Sequence, residues 1–307
     1  STQDITIDAL RIEQIRPDEK EAMSAGAAMA VVGWWTGYKL GGAFSLNLAQ
    51  QFETLGYENY WKLAFIGLGI VIVFFNIGVL FIKEKNFSKK KKNQSILDKK
   101  ILSKINNNNF ISRALAWISS TLSGPLISFF KKNGLSIAAA IITFIFLFKI
   151  GEAFLGRMSV LFYKEIGFSK SDIAIYSKTF GWITTVVFTL IGGLFTIRSG
   201  IIKSMFLAGI LMASTNLLFT LLAWSDKSYF LFALAVILDD IAAAFATVAF
   251  VAFISLLVDR TYTATQYALL ASIGTAGRTT LASSSGALVD WLNGDWGTFF
   301  ILTTIMV

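Results

Sequence analysis

Residues 229–257 read YFLFALAVILDDIAAAFATVAFVAFISLL, an apolar run that is interrupted only by Asp239 and Asp240. An α-helix rises ~1.5 Å per residue and the hydrocarbon core of a bilayer is ~30 Å thick, so about 20 apolar residues suffice to cross it. A surface helix of a soluble protein would show a polar stripe, which this run lacks. The stretch therefore predicts a transmembrane helix that carries two carboxylates near its middle.

Further apolar runs of similar length repeat this pattern along the chain. They fall at 25–49, 60–82, 135–161, 173–197, 204–224 and 267–292, and partial runs fall at 1–10 and from 298 onward. Apolar residues make up 55% of the 307 residues and charged residues 15%, whereas about a quarter of a typical soluble protein is charged. The sequence therefore predicts an all-α, multi-pass membrane protein, and both ends look cut.

Lys and Arg are distributed unevenly among the connections between these spans. Eighteen lie in the connections 11–21, 83–133, 198–203 and 257–266, and four lie in the alternate ones. Because cytoplasmic connections carry the excess of Lys and Arg, we expect loop 83–133 to be cytoplasmic. The same clustering argues against nucleic acid as a partner, although the net charge is +8.

Within that loop, Ile111, Leu115, Ile118 and Leu122 recur at helical spacing. They indicate a short helix on the inner membrane surface, with a frayed loop as the alternative. We expect three parts: residues 1–82 as the end of a first helical bundle, 83–133 as a Lys-rich linker, and 134–307 as a second bundle.

Ionisable residues inside the predicted spans are the strongest functional signal. They are Asp4, Asp8, Lys39, Lys149, Glu152, Arg157, Lys178, Asp239, Asp240 and Arg278. Each costs about 2.5–3.5 kcal/mol or more at the bilayer centre unless it is paired or hydrated. They must therefore face one another or a cavity, either as structural ion pairs or as groups that bind substrate and ions.

Position along the spans separates these residues. Lys39 and Arg278 lie near the midplane, where carriers bind their substrates. Lys149 and Glu152 are three residues apart, so an internal ion pair is the structural interpretation. Asp4 and Asp8 share a helix face, whereas the adjacent Asp239 and Asp240 must point in different directions. Arg157 and Lys178 lie nearer the outer boundary, where long cationic side chains reach the headgroups.

The chain has no His and no Cys. Proton transfer is therefore left to carboxylates, Lys and Tyr, and thiolate or imidazole metal sites are excluded. No nucleophile, nucleotide or metal motif is present, so we expect neither an enzyme nor a cofactor. Trp34 lies beside a glycine ladder and is a candidate for stacking on a sugar ring, although lipid contact and packing together are the favoured explanation.

Several signals concern packing and helix ends. Gly33, Gly37 and Gly41 recur every fourth residue and predict close contact with a neighbouring helix. Ser169 with Asp172, and Thr263 with Gln266, fit capping boxes. Tryptophans at predicted span ends are expected in the interfacial belt, namely Trp61, Trp224, Trp291 and Trp296.

Several motifs together resemble the AmpG muropeptide permeases, a branch of the major facilitator superfamily. Residues 1–13 (STQDITIDALRIE) resemble that family's fourth-span signature, and Gly37-Tyr38-Lys39-Leu40-Gly41 resembles its fifth span. Further matches are Phe148-Lys149-Ile150-Gly151-Glu152-Ala153, residues 125–134, 246–257 and 264–270, and Gly277-Arg278. The resemblance covers the whole chain except residues 86–120. One departure is Asp239-Asp240, where the family commonly has Glu-Asn.

The resemblance implies a major facilitator superfamily fold with about nine of twelve spans present, from the end of the fourth to the start of the twelfth. It implies proton-driven import of N-acetylglucosaminyl-1,6-anhydro-N-acetylmuramyl peptides across the bacterial inner membrane for cell-wall recycling, by a monomer. On this basis we expect Asp4, Asp8 and Glu152 to couple protons. We expect Lys39, Lys149, Arg278, Asp239, Asp240 and Trp34 to contact the substrate.

Two alternatives remain from the sequence. A related carrier of the same fold would transport another anionic cargo such as acetyl-CoA, because Lys39 and Arg278 suit a phosphorylated ligand equally well. A non-transporting sensor, or a degenerate fragment, would retain the fold without transport. Competition of muropeptide uptake by CoA esters would distinguish the first alternative from muropeptide import. An intact reading frame that encodes three upstream spans would argue against the second.

Overall fold

The computed structural model describes residues 2–16, 18–82, 96, 110–173, 176 and 181–307. Every regular element in this part of the chain is helical. In chain order the helices are α1 (Thr2–Gln14), α2 (Lys20–Thr54), α3 (Tyr60–Val79), α4 (Phe110–Asn133), α5 (Leu135–Leu147), α6 (Ile150–Glu165), α7 (Lys170–Ile173), α8 (Gly181–Ser199), α9 (Ile201–Trp224), α10 (Tyr229–Leu257), α11 (Thr263–Ala282), α12 (Ser285–Trp291) and α13 (Trp296–Ile305).

Five helical segments in the described part are long and apolar enough to cross a membrane. They are Tyr60–Val79, Leu135–Glu165, Gly181–Ser199, Ile201–Trp224 and Tyr229–Leu257. The last begins and ends at the residues predicted from the sequence. Helix α2 is longer than predicted, at 35 residues. The all-α, multi-pass membrane architecture expected from the sequence is therefore confirmed.

The span predicted at 267–292 is interrupted. Helix α11 ends at Ala282 and α12 begins at Ser285, with Ser283 and Ser284 between them. The hydroxyls of all three serines donate hydrogen bonds to carbonyls three residues earlier. Because such bonds compete with the regular helical ladder, the run of serines accounts for the interruption. In the span predicted at 173–197, Lys178 lies outside the described residues.

An aromatic core joins the carboxyl ends of α6 and α9 to the amino ends of α10 and α13. Phe162, Phe219 and Phe300 are fully buried there, and the Phe162 and Phe300 rings meet edge to face at 4.7 Å between centroids. Trp296 also belongs to this core, and its Nε1 donates a 2.6 Å hydrogen bond to Glu165. Its predicted place in the interfacial belt is therefore wrong, because the indole fills the core instead.

Helix α2 packs against α8 and α10 and so joins the first part of the chain to the second. The contact depends on Gly193 of α8, where a Cβ would overlap the Cβ of Ala28. The glycine ladder predicted for this role is wrong. In the described structure no atom lies within 4 Å of a Cβ built at Gly33, Gly37 or Gly41. Spacing alone did not reveal on which helix the close approach occurs.

A helix is present where Ile111 to Leu122 predicted one, and it is longer than expected. Its position on the inner membrane surface stays a prediction. Helix α4 is fixed to the α10–α11 connection by two hydrogen bonds: Ser128 donates to Asp259 at 2.6 Å, and Gln266 donates to the Pro125 carbonyl at 2.8 Å. Burial raises the pKa of Asp259, but hydrogen bonds from Ser128 and Thr261 outweigh it, so that the pKa is lowered overall.

The two predicted capping boxes have different outcomes. At the first, the Ser169 amide donates to Asp172 at 2.9 Å and the Asp172 amide donates to Ser169 at 3.1 Å, which confirms it. The second is wrong, because the Gln266 side chain leaves its own helix and binds the backbone of Asp259 and Pro125. The long amide is used to connect segments rather than to cap a helix.

Candidate functional site

The span Leu135–Glu165 is broken near its midpoint. Helix α5 ends with Phe148 as its C-cap, and Lys149 is the N-cap of α6. A cation is favourable at the carboxyl end of a helix, and a carboxylate such as Glu152 is favourable in the first turn of the next. Broken helices at the membrane midplane are where carriers place ionisable groups. The break therefore puts both charges at the depth expected for a transport site.

Lys149 has two side-chain partners and is buried. Its Nζ lies 2.8 Å from Glu152 Oε2 and donates a 2.7 Å hydrogen bond to Thr247 of α10. The Thr247 hydroxyl itself donates to the Ala243 carbonyl, so its oxygen is free to accept from the ammonium. The internal pair predicted from the three-residue spacing is confirmed.

Asp239 and Asp240 point in different directions from α10, as predicted. Asp239 accepts a 3.3 Å hydrogen bond from Thr215 of α9. Asp240 points at α8, where a Cβ on Gly181 would overlap its carboxylate. Asp239 also interacts electrostatically with Lys149 and Glu152. Helices α6, α9 and α10 thus bring together one group of charges.

We call Lys149, Glu152, Asp239 and Asp240 the buried charge cluster. Three of its members are carboxylates and one is an ammonium. Asp239 interacts with both Asp240 and Glu152, and like charges held close together in a low-dielectric interior are unfavourable. The cluster is therefore suited to take up a proton, and proton uptake or release would alter the net charge around Lys149.

Asp8 lies in a different place, at the end of α1 that meets the second half. Arg11 donates to Asp8 at 3.1 Å and to Ser255 of α10 at 3.1 Å. The Tyr267 hydroxyl interacts with both Asp8 and Arg11. Asp8 therefore helps to connect α1 with α10 and α11. Asp4 is exposed, one turn earlier on α1.

A cavity of about 300 Å³ opens between α6 and α11, and its charged lining residues are Arg157 and Arg278. The neighbouring Gly277 is buried, and a Cβ there would overlap the Phe146 carbonyl. This close approach holds α11 against α5. Arg278 thus lies on a cavity wall, whereas Lys149 lies inside a protein ion pair. The structure does not merge these two cations into one site.

The remaining predicted residues lie on α2. Trp34 is half exposed and stacks on Tyr38, with ring centroids 5.9 Å apart and planes at 7°. Lys39 belongs to the same helix, but its side chain lies outside the described part of the structure. Trp34 is accordingly available for contact with a ring-shaped ligand.

Sequence reasoning missed two residues. Arg157 was not among the residues predicted to bind substrate, but it lines the α6–α11 cavity. Arg157 and Arg278 line the same cavity because α6 packs on α11, a helix more than a hundred residues later in the chain. No local sequence pattern reveals such a contact. Thr247 gave no signal either, because a threonine in an apolar helix usually only bonds to its own backbone.

No family model matches the chain. The sequence is similar to curated proteins over its whole length. It is 33% identical over 306 residues to transporter AmpG 4 of Rickettsia conorii, and the match covers 100% of this chain and 66% of the relative. It is 27% identical over 305 residues to the anhydromuropeptide permease of Escherichia coli K12, covering 99% of this chain and 54% of the permease.

These relatives are named as transporters or permeases, and the chain spans about half to two thirds of their length. A third, AmpG 3 of Rickettsia prowazekii, is 28% identical over 307 residues. The matches extend over nearly the whole chain. The chain belongs to the AmpG family of transporters, within the major facilitator superfamily.

Proposed function

We propose that the protein imports anhydromuropeptides into the cytoplasm across a bacterial inner membrane, coupled to the entry of protons. The observation that carries the proposal is the buried charge cluster, in which Glu152 pairs with Lys149 at the break of a membrane span and Asp239 interacts electrostatically with both. The substrate is proposed from the names of the relatives. Loop 83–133 is proposed to face the cytoplasm because of its Lys-rich sequence.

The cluster supports a coupling role on electrostatic grounds. A proton moving down ~100 mV releases about 2.3 kcal/mol, which is the scale of work that a coupled carrier uses. Binding a proton at Asp239 would remove its repulsion with Asp240 and Glu152, and releasing the proton would restore that repulsion. Asp8 and Glu152 already face a cation, Arg11 and Lys149 respectively. We therefore place Asp239 first among the proton carriers, and Asp4, Asp8 and Glu152 after it.

Uptake by the full-length protein in liposomes tests this proposal. We expect labelled anhydromuropeptide to accumulate when the outside is more acidic, and to stop accumulating when a protonophore collapses the gradient. Asp239→Asn should reduce gradient-driven accumulation at least tenfold, while the exchange of internal for external substrate persists. Asp4→Asn and Asp8→Asn are compared in parallel, and Asp226→Asn, an exposed connection residue, is the matched control.

Two results would contradict the proposal in separable ways. Equal accumulation with and without the proton gradient would exclude coupling but keep transport. Failure to take up anhydromuropeptide, together with uptake of CoA esters, would replace the substrate and keep the carrier.

A further inference from the structure

The α6–α11 cavity concentrates positive charge in a way that the buried charge cluster does not. Arg157 comes from α6 and Arg278 from α11, and both residues line the same space. Small residues form much of the remaining wall. Both arginines are exposed at this wall, and two like charges that line one space repel each other. An anion between them would remove this cost.

Two other cations, by contrast, already have side-chain partners. Lys149 faces Glu152 and Thr247, and Arg11 faces Asp8 and Ser255. Within the described residues, neither Arg157 nor Arg278 has a recorded hydrogen bond or ion pair to the protein. Guanidinium groups present paired N–H donors that match the two oxygens of a carboxylate. The cavity is therefore equipped to bind an oxyanion.

Two hydroxyls add a second kind of contact. Thr275 donates its hydroxyl hydrogen to the Ala271 carbonyl at 3.0 Å, and Thr279 donates to the Thr275 carbonyl at 2.8 Å. Their oxygens are thereby left as acceptors facing the cavity. A ligand that fits has N–H donors next to its anionic group.

The same arrangement already works elsewhere in this protein. The Thr247 hydroxyl donates to the carbonyl four residues earlier and accepts a hydrogen bond from Lys149. Ser255 does the same with respect to Arg11. Helix-bonded hydroxyls in this molecule therefore accept N–H groups, and Thr275 and Thr279 present the same chemistry to an open space.

We propose that Arg157, Arg278, Thr275 and Thr279 form a subsite for the carboxyl end of a peptide. The guanidinium groups bind the carboxylate, and the hydroxyls accept from the adjacent amide N–H groups. A volume of about 300 Å³ is at the lower end of small-molecule sites, so the subsite takes only the end of a larger solute. The identification of that solute as the peptide stem of a muropeptide rests on the proposed function.

Ligand-induced stabilisation of the full-length protein in detergent tests the subsite without requiring transport. The probes are an anhydromuropeptide with a tripeptide stem, the same compound with every stem carboxylate converted to an amide, and coenzyme A. We expect the carboxylate form to raise the Tm, with at least tenfold weaker binding of the amide form. Arg157→Gln and Arg278→Gln should each reduce the affinity for the carboxylate form at least tenfold.

A filling variant covers the case in which removal of an arginine disturbs folding. No atom lies within 4 Å of a Cβ built at Gly156, a residue of the cavity wall. Gly156→Leu should therefore fold, fill the cavity and abolish the Tm shift. Gly209→Leu, which also has open space around it, is the matched control and should keep the shift.

The outcomes separate the subsite from the transport function. Equal stabilisation by the carboxylate and amide forms, or equal affinity of Gly156→Leu and Gly209→Leu, would overturn the subsite. Selective stabilisation by coenzyme A would assign the same cavity to phosphate and overturn the peptide carboxylate. Binding that follows the expected pattern, in a protein that does not take up muropeptide into liposomes, would keep the subsite and reject the proposed function.

Discussion

At the scale of single residues, the pair Lys149 and Glu152 shows why charge within a membrane span is retained. Their side chains are only 11% and 13% exposed, so each depends on the other for compensation. Isolated, either would be a strongly unfavourable buried ion. The Thr247 hydroxyl is a third member of this site. If the protonation state of one charged member changes, the other loses its ion-pair partner.

Removing one member of this pair is predicted to be worse than removing both. Lys149→Gln leaves Glu152 uncompensated beside Asp239, and we expect a loss of about 3–5 kcal/mol in the free energy of unfolding. The double variant Lys149→Gln/Glu152→Gln should recover much of that loss. Thermal unfolding in detergent measures the difference, with Lys62→Gln, an exposed residue, as control. A single variant as stable as the wild type would show that the pair does not compensate a buried charge.

Sequence reasoning was most successful where partners are close in the chain. The three-residue spacing of Lys149 and Glu152 predicted their pair, and the adjacency of Asp239 and Asp240 predicted divergent directions. It could not identify Arg157 as a neighbour of Arg278, because that contact arises from the packing of α6 on α11. The roles of Asp4, Asp8, Lys39 and Trp34 in transport stay predictions.

At the scale of elements, close helix contacts depend on where a glycine meets its neighbour. The ladder on α2 has open space around it, whereas Gly193 of α8 lies directly against Ala28. Apolar composition and length were enough to predict the existence and bounds of α10. Which helix face meets another requires the three-dimensional arrangement, which single-sequence periodicity does not contain.

A side-chain exchange at the α2–α8 contact tests this assignment. Gly193→Ala should destabilise the protein by about 1–3 kcal/mol, because its methyl group would overlap that of Ala28. Adding Ala28→Gly should restore stability by moving the methyl group to the opposite helix. Gly209→Ala should instead be neutral or stabilising by about 0.5–1 kcal/mol. Equal Tm values for Gly193→Ala and Gly209→Ala would argue against the contact.

At the scale of the whole molecule, the two parts of the chain meet along α2, α8 and α10. Val31 of α2 and Val248 of α10 are 3% and 0% exposed and belong to one apolar cluster. The Arg11 contact with Ser255 adds a polar connection between α1 and α10. A carrier that exposes its site alternately to each side must separate contacts of this kind.

A cross-link between the two parts should therefore stop transport. The 307 residues contain no cysteine, so Val31→Cys/Val248→Cys introduces the only thiol pair within them, and any thiol elsewhere in the full-length protein is first replaced by serine. We expect the oxidised pair to lose at least nine tenths of its uptake, and dithiothreitol to restore it. Ala208→Cys/Ala246→Cys, within the second part, is the control and should remain active. Full uptake by the oxidised Val31→Cys/Val248→Cys protein would show that this contact does not open during transport.

The attachment of α4 has a practical consequence. Because the Ser128–Asp259 and Gln266–Pro125 bonds tie α4 to the α10–α11 connection, this helix is expected to travel with the second part of the chain during transport. A dye attached at the exposed position Ile127 would then report the movement of that part. Paired with a second dye on α3, it would convert the rearrangement into a distance signal that single-molecule fluorescence can follow in real time.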